Sequence, residues 1–153
     1  MNTISSSIRK NVIDACRSFL DERIKNLEAQ LRELTSGAEN DSKSSAGDKH
    51  ETSRAMMQLE HENISRQLDG FLKEKNELVQ LDTTTNDVIT KGSLIKTNRG
   101  FIFLSVAIGK ITVDSTDVMA LSTRSPLGSK LLGLKKGACA EVNGMRYQIE
   151  EIY

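Results

Sequence analysis

Apolar residues recur every seven positions near the start of the chain, at Leu20, Leu27 and Leu34. Ile24 and Leu31 fill the seam between them, and Ile13 and Cys16 extend it backwards. This is the a/d pattern of a helix that pairs with another helix. Neither Pro nor Gly interrupts residues 4–35, so one helix is predicted there, about 45 Å long at roughly 1.5 Å per residue. Ser5, Ser6 or Ser7 is expected to cap its start. From 36 to 47, Ser, Gly, Asn and Asp dominate and predict a loop. A second helix is predicted from about Asp48 to Leu81, where Met57, Ile64, Phe71 and Leu78 repeat at seven. Leu68, Leu72 and Val79 widen that stripe, and His61 and Lys75 fall near it. Gly70 costs this helix roughly 1 kcal/mol against Ala. Two seams of similar length across a short loop predict an antiparallel coiled-coil hairpin. Pairing of the same seams between molecules is the alternative.

After a polar linker at 82–90 the period changes to that of strands. Ser93–Thr97 and Phe101–Ile108 flank a turn at Asn98-Arg99-Gly100, and the second run is apolar on both faces, as for an interior strand. Lys110–Val113 and Val118–Ser122 follow, joined by residues 114–117. Ser125 and Pro126 have the N-cap and N1 chemistry of a short helix. Leu127, Leu131 and Leu132 are expected to face inward, and Gly133 to end it. Ala138–Val142 and Met145–Ile152 close around Asn143-Gly144, a strong two-residue hairpin signal. The fold class is therefore α+β: a helical hairpin over 1–81 with its tip near 36–51, a linker at 82–90, and a small, mostly antiparallel sheet domain with one short helix over 91–153.

Charge changes this picture in one respect. The chain is neutral overall, with 21 basic and 21 acidic residues, which argues against a general nucleic-acid binder. The balance is uneven: residues 1–35 are net +1, 36–90 net −5 and 91–153 net +4. Cys16 and Cys139 stand far apart, outside any C-x-x-C or His cluster, and read as small apolar side chains in a reducing compartment. No apolar run has signal or membrane length, so the cytoplasm is the expected location.

Chemistry is sparse. No Ser-His-Asp set, glycine-rich phosphate loop or zinc pattern is present in the sequence. Asp48 and Glu51 stand three residues apart at the start of the second helix. That is the spacing of a capping box with Asp in place of Ser or Thr, and acids are favoured at this end of the helix dipole. The same pair suits Mg²⁺, which is usually held by one or two carboxylates with water or phosphate oxygens completing its shell. His50 lies between them as a solvated helix-start residue. Lys91, Lys96, Arg99, Lys110, Arg124, Lys130, Lys135, Lys136 and Arg146 supply either a docking face or scattered solubilising charge.

Gly47-Asp48-Lys49-His50-Glu51 matches the tip pattern Gly-Asp-x-x-Glu of the Gre transcript-cleavage factors, elongation factors of bacterial RNA polymerase. The run from Ser125-Pro126-Leu127-Gly128 through Leu131-Leu132-Gly133, then Gly137 and the closing Ile152-Tyr153, is similar to that family's C-terminal signature. The chain thus resembles a divergent Gre factor over both parts in order. Where the tip pattern continues Asn-Ala, an acid and Tyr, this chain has Thr52, Ser53, Arg54 and Ala55.

The resemblance implies an FKBP-like fold for 91–153, docking on RNA polymerase through residues such as Ser125, Pro126, Lys130, Lys135 and Lys136. It also implies passage of the hairpin down the secondary channel. Asp48 and Glu51 would then act in trans at the RNA 3′ end. They would share Mg²⁺ with the polymerase and help orient a water against backtracked RNA. No stably bound cofactor, no autonomous enzyme activity, no membrane partner and a monomer are expected. With four aromatics in 91–153, prolyl isomerase activity is not expected. Two alternatives stay open: a channel-binding regulator that modulates the polymerase without cleavage, and a coiled-coil interaction protein unrelated to transcription.

Overall fold

The computed structural model describes residues 2–41, 47–81 and 87–153, with side chains over 7–37, 51–81 and 87–153. Two long helices come first, α1 (Asn2–Asp41) and α2 (Gly47–Val79). Six strands and a short helix follow: β1 (Leu94–Thr97), β2 (Gly100–Ser105), β3 (Gly109–Val113), β4 (Thr116–Ser122), α3 (Pro126–Leu131), β5 (Cys139–Val142) and β6 (Met145–Ile152). The expected α+β order is the observed one. Two compact units result. One joins the first eighteen residues of α1 to Glu77–Tyr153, and the other is Phe19–Asn76.

In the unit Phe19–Asn76 the two helices run antiparallel. Lys75 pairs with Asp21 at 2.6 Å, while Met57 lies beside Gly37. Leu20, Ile24, Leu27 and Ile64 are buried along the seam. Several details differ from the heptad reading. α1 starts at Asn2, so Ser5, Ser6 and Ser7 lie inside the helix rather than capping it. It also continues to Asp41, through Ser36 and Gly37, which were expected in the loop. Extending an established helix adds one hydrogen bond per residue fixed, which offsets the weak propensity of Ser and Gly. Residues 42–46 of the expected loop lie outside the described residues. Leu72, Val79 and Met56 are exposed, as is His61, because they fall beside or behind the contact stripe.

In the other unit the sheet order is β3-β4-β2-β1-β6-β5. Four of its pairings are antiparallel, and β2 with β4 is parallel. The parallel pair arises because β3 skips one place after β2 and β4 turns back into the gap. That turn is only Asp114-Ser115, both left-handed (φ 50° and 67°), so Thr116 and Asp117 belong to β4 rather than to the loop. Asn143 and Gly144 also have positive φ (53° and 77°), as their type I′ turn requires.

The interior strand β2 is covered on both faces. Ile102 and Leu104 join Ile89, Ile95, Leu131, Ala140 and Ile149 in a core on the α3 side. Ile89 belongs to this core although 82–90 reads as polar linker. Its N–H donates to Leu134 O at 2.9 Å, and Val88 bridges Lys135. Leu94, Phe103, Val118 and Ala120 are buried on the opposite face. There Ile8 and Val12 of α1 lie against Phe101 and Val118 around a residual cavity of about 50 Å³. The first turns of α1 thus face a sheet. This is why Val12, at four-residue spacing from Cys16 and Leu20, is buried while Ile13 is only half-buried.

Candidate functional site

The tip is positioned by where α2 begins. Gly47 is its first residue, so Asp48 lies inside the first turn rather than at the N-cap, and Glu51 follows three residues on. Positions i and i+3 share a helix face, so 48 and 51 are register positions on one side of α2 near its start. Glu51 is exposed. The side chains of Asp48, Lys49 and His50 lie outside the described residues. Thr52, Ser53, Arg54 and Ala55 continue the exposed turn.

Glu51 lines an open groove of about 610 Å³ between the two helices, together with Leu34, Ala55, Met57, Arg54 and His61. The groove exists because the seam loses volume there. After Leu34, α1 offers Thr35 and Gly37, and Thr35 turns its hydroxyl back onto Leu31 O at 2.9 Å. Arg54 lines the same groove as Glu51. Among the described residues, no three His, Cys, Asp or Glu side chains come together as a metal cluster. Glu51 still offers the donor Mg²⁺ prefers, an exposed carboxylate with room for water or phosphate oxygens beside it.

The expected docking residues lie on and after α3. Ser125 is its N-cap: the hydroxyl accepts from Gly128 N at 3.0 Å and donates to Ser122 O at 2.7 Å. Pro126 takes N1 as expected, and Leu131 is buried, but Leu132 is exposed. Lys130 donates its ammonium to Glu141 O at 2.7 Å, and Lys136 pairs with Glu151 at 2.7 Å. Lys135 is exposed. Elsewhere Lys91 pairs with Glu77 at 3.1 Å and Lys110 with Asp117 at 3.3 Å. Hydrogen bonding from Thr112, then Lys110 itself, holds the Asp117 carboxyl below its usual range. The basic surface of 91–153 is therefore partly neutralised by its own acids. Arg99 is fixed over the Tyr147 ring, 5.6 Å from its centroid, while donating to Arg146 O at 2.9 Å.

One residue the sequence reading passed over is Arg9, a charged group only 7% exposed. Its Nε donates to Gly92 O at 2.8 Å. No local signal marks it, since its partner lies 83 residues away in the sequence.

Among the described residues no helix is long and apolar enough to cross a membrane. No family model and no curated protein matches the chain. Two solved structures are similar along most of its length. One, described as the transcription factor Gfh1, is 19% identical over 91% of this chain and 94% of its own, with a TM-score of 0.39. The other, GreA factor homolog 1 (Gfh1) of Thermus thermophilus, is 17% identical over 91% and 95%, with a TM-score of 0.35.

Proposed function

We propose that the chain is an accessory factor of a bacterial-type RNA polymerase. It would dock through residues 91–153 and insert the hairpin tip into the secondary channel to stimulate cleavage of backtracked RNA. The observation that carries this reading is the folded-back helix pair with Glu51 exposed near the start of α2. The match of Gly47-Asp48-x-x-Glu51 to the Gre tip pattern supports it. Mg²⁺ bound between the partners would supply Lewis acidity at the phosphodiester and activate water. Asp48 and Glu51 would hold it from the factor's side, and an exposed carboxylate can also accept a proton from an attacking water. The chain would then be no enzyme alone; it would lend ligands to the polymerase.

Arg54 supports a second reading within the same partnership. It stands three residues after Glu51, on the same groove, where the Gre pattern has an acid, and a cation near the carboxylates opposes metal binding. The factor would then occupy the channel and slow the polymerase without cleavage. Retention of RNA polymerase on the immobilised chain tests both readings. Stoichiometric retention is expected, and none would contradict both in favour of a coiled-coil protein unrelated to transcription.

A further inference from the structure

One β-turn is held by three elements at once. Thr90–Ser93 closes with Ser93 N donating to Thr90 O at 3.1 Å, and Thr90 N donates to the Ser93 hydroxyl at 3.0 Å. Gly92 takes the third position with φ 97°, the left-handed conformation a type II turn requires there. Gly92 N donates to Leu104 O at 2.6 Å and Leu104 N to Ser93 O at 3.0 Å, fastening the turn to β2. Lys91, the second turn residue, pairs with Glu77 of α2. Arg9 of α1 reaches the same turn through its bond to Gly92 O. Leu81 and the Arg9 guanidinium crowd Gly92 so closely that a Cβ there would meet them at 3.0 and 3.3 Å.

A buried guanidinium is a costly way to fill space, since desolvation offsets much of its attraction, and an apolar side chain would pack there at less cost. What it adds is direction. Its N–H groups are fixed in a planar fork, so the bond to a carbonyl holds one orientation where a methyl would tolerate several. The contact lies on the turn that also ties down α2 and the interior strand, and α1 continues without a break to Asp41.

We infer that Arg9 is a positioning residue, which seats the base of α1 on the Thr90–Ser93 turn and so couples docking of the sheet to delivery of the tip. The inference rests on the polymerase reading for its consequence and on geometry alone for the seating. The test uses full-length Arg9→Met, which keeps the stem and loses every donor, and Arg9→Lys, which keeps the charge without the fork. Far-UV circular dichroism reports folding. Amide exchange over residues 8–16 reads the seating without any partner. Polymerase affinity, and saturating activity in whichever of cleavage or inhibition the wild type shows, read the coupling.

Arg9→Met is expected to keep its helix signal and polymerase affinity. Its exchange over 8–16 should quicken roughly tenfold, and its saturating activity should fall about tenfold or more, with Arg9→Lys between. Unchanged exchange overturns the seating; faster exchange with unchanged saturating activity overturns the coupling. If Arg9→Met does not fold, the same comparison on Arg9→Lys decides. A wild-type chain that never binds polymerase removes the polymerase reading and the coupling with it, while the exchange result still decides the seating.

Discussion

Asp21 of α1 and Lys75 of α2 meet in an ion pair of 2.6 Å, midway along one helix and near the end of the other, as an antiparallel return requires. Both side chains are well exposed, at 47% and 38%, so the pair marks register more than it supplies stability. Exposed pairs contribute about 0–1 kcal/mol. Reversing either charge alone should lower stability in urea by under about 1 kcal/mol, and reversing both should recover it. A coupling well above that range would mean the pair is screened from water.

Stability of the hairpin is expected to reside in its seam. Leu20→Ala or Ile64→Ala should each cost about 2–4 kcal/mol in chemical denaturation, the range for fully buried aliphatics. Leu72→Ala and Val79→Ala should stay within roughly 0.5 kcal/mol, since both side chains face solvent. Similar losses at all four positions would mean that another chain covers the outer face of α2.

The turn into α3 should be the least forgiving place in the sheet's unit. A Cβ on Gly128 would collide with Ser122 O and stand 2.9 Å from Leu104 Cδ1. Gly128→Ala is therefore expected to lower stability by about 3 kcal/mol or more, as overpacking against backbone does. Ser125→Ala, which removes only the cap, should cost about 1 kcal/mol. Thermal unfolding of the two variants, side by side, checks that ranking.

Burial alone pushes the Cys16 thiol up from 9.0 to about 12. The folded state therefore keeps its proton at pH values where the unfolded chain has lost it. Stability from this group is complete below pH 9 and declines as pH rises from 9 toward 12. Denaturation midpoints should fall across that window, and Cys16→Ala should flatten the decline. A thiol reagent at pH 8 should label exposed Cys139 at once and Cys16 only on unfolding. Prompt labelling of both would mean that α1 opens locally around Cys16 in the native state.

Much of this was readable in the residues, for identifiable reasons. Asn143-Gly144 and Ser125-Pro126 carry their conformations locally, so the last hairpin and α3 fall where expected. The apolar run Ile102–Leu104 identified β2 as interior because both of its faces are filled. What local chemistry could not show were contacts between distant segments. Ile89 is buried by α3 and the loop after it, Arg9 by a turn more than eighty residues away, and β4 pairs parallel with β2 only because β3 leaves a gap. The extra helical residues at 36–41 follow from propagation of α1, which propensity undervalues. At the tip, the start of α2 near Asp48 was legible from the sequence; the groove that Glu51 borders was not, because it depends on what α1 lacks after Leu34.

The most direct measurement is cleavage of a stalled, backtracked elongation complex by RNA polymerase with the wild-type chain, with Asp48→Ala/Glu51→Ala, and with no factor. The wild type should release a 3′ RNA fragment at least about a hundredfold faster than polymerase alone, the scale expected when ligands for a catalytic metal are supplied. The double variant should still bind and should return the rate to that of polymerase alone. Equal stimulation by both chains would contradict the role assigned to the two acids.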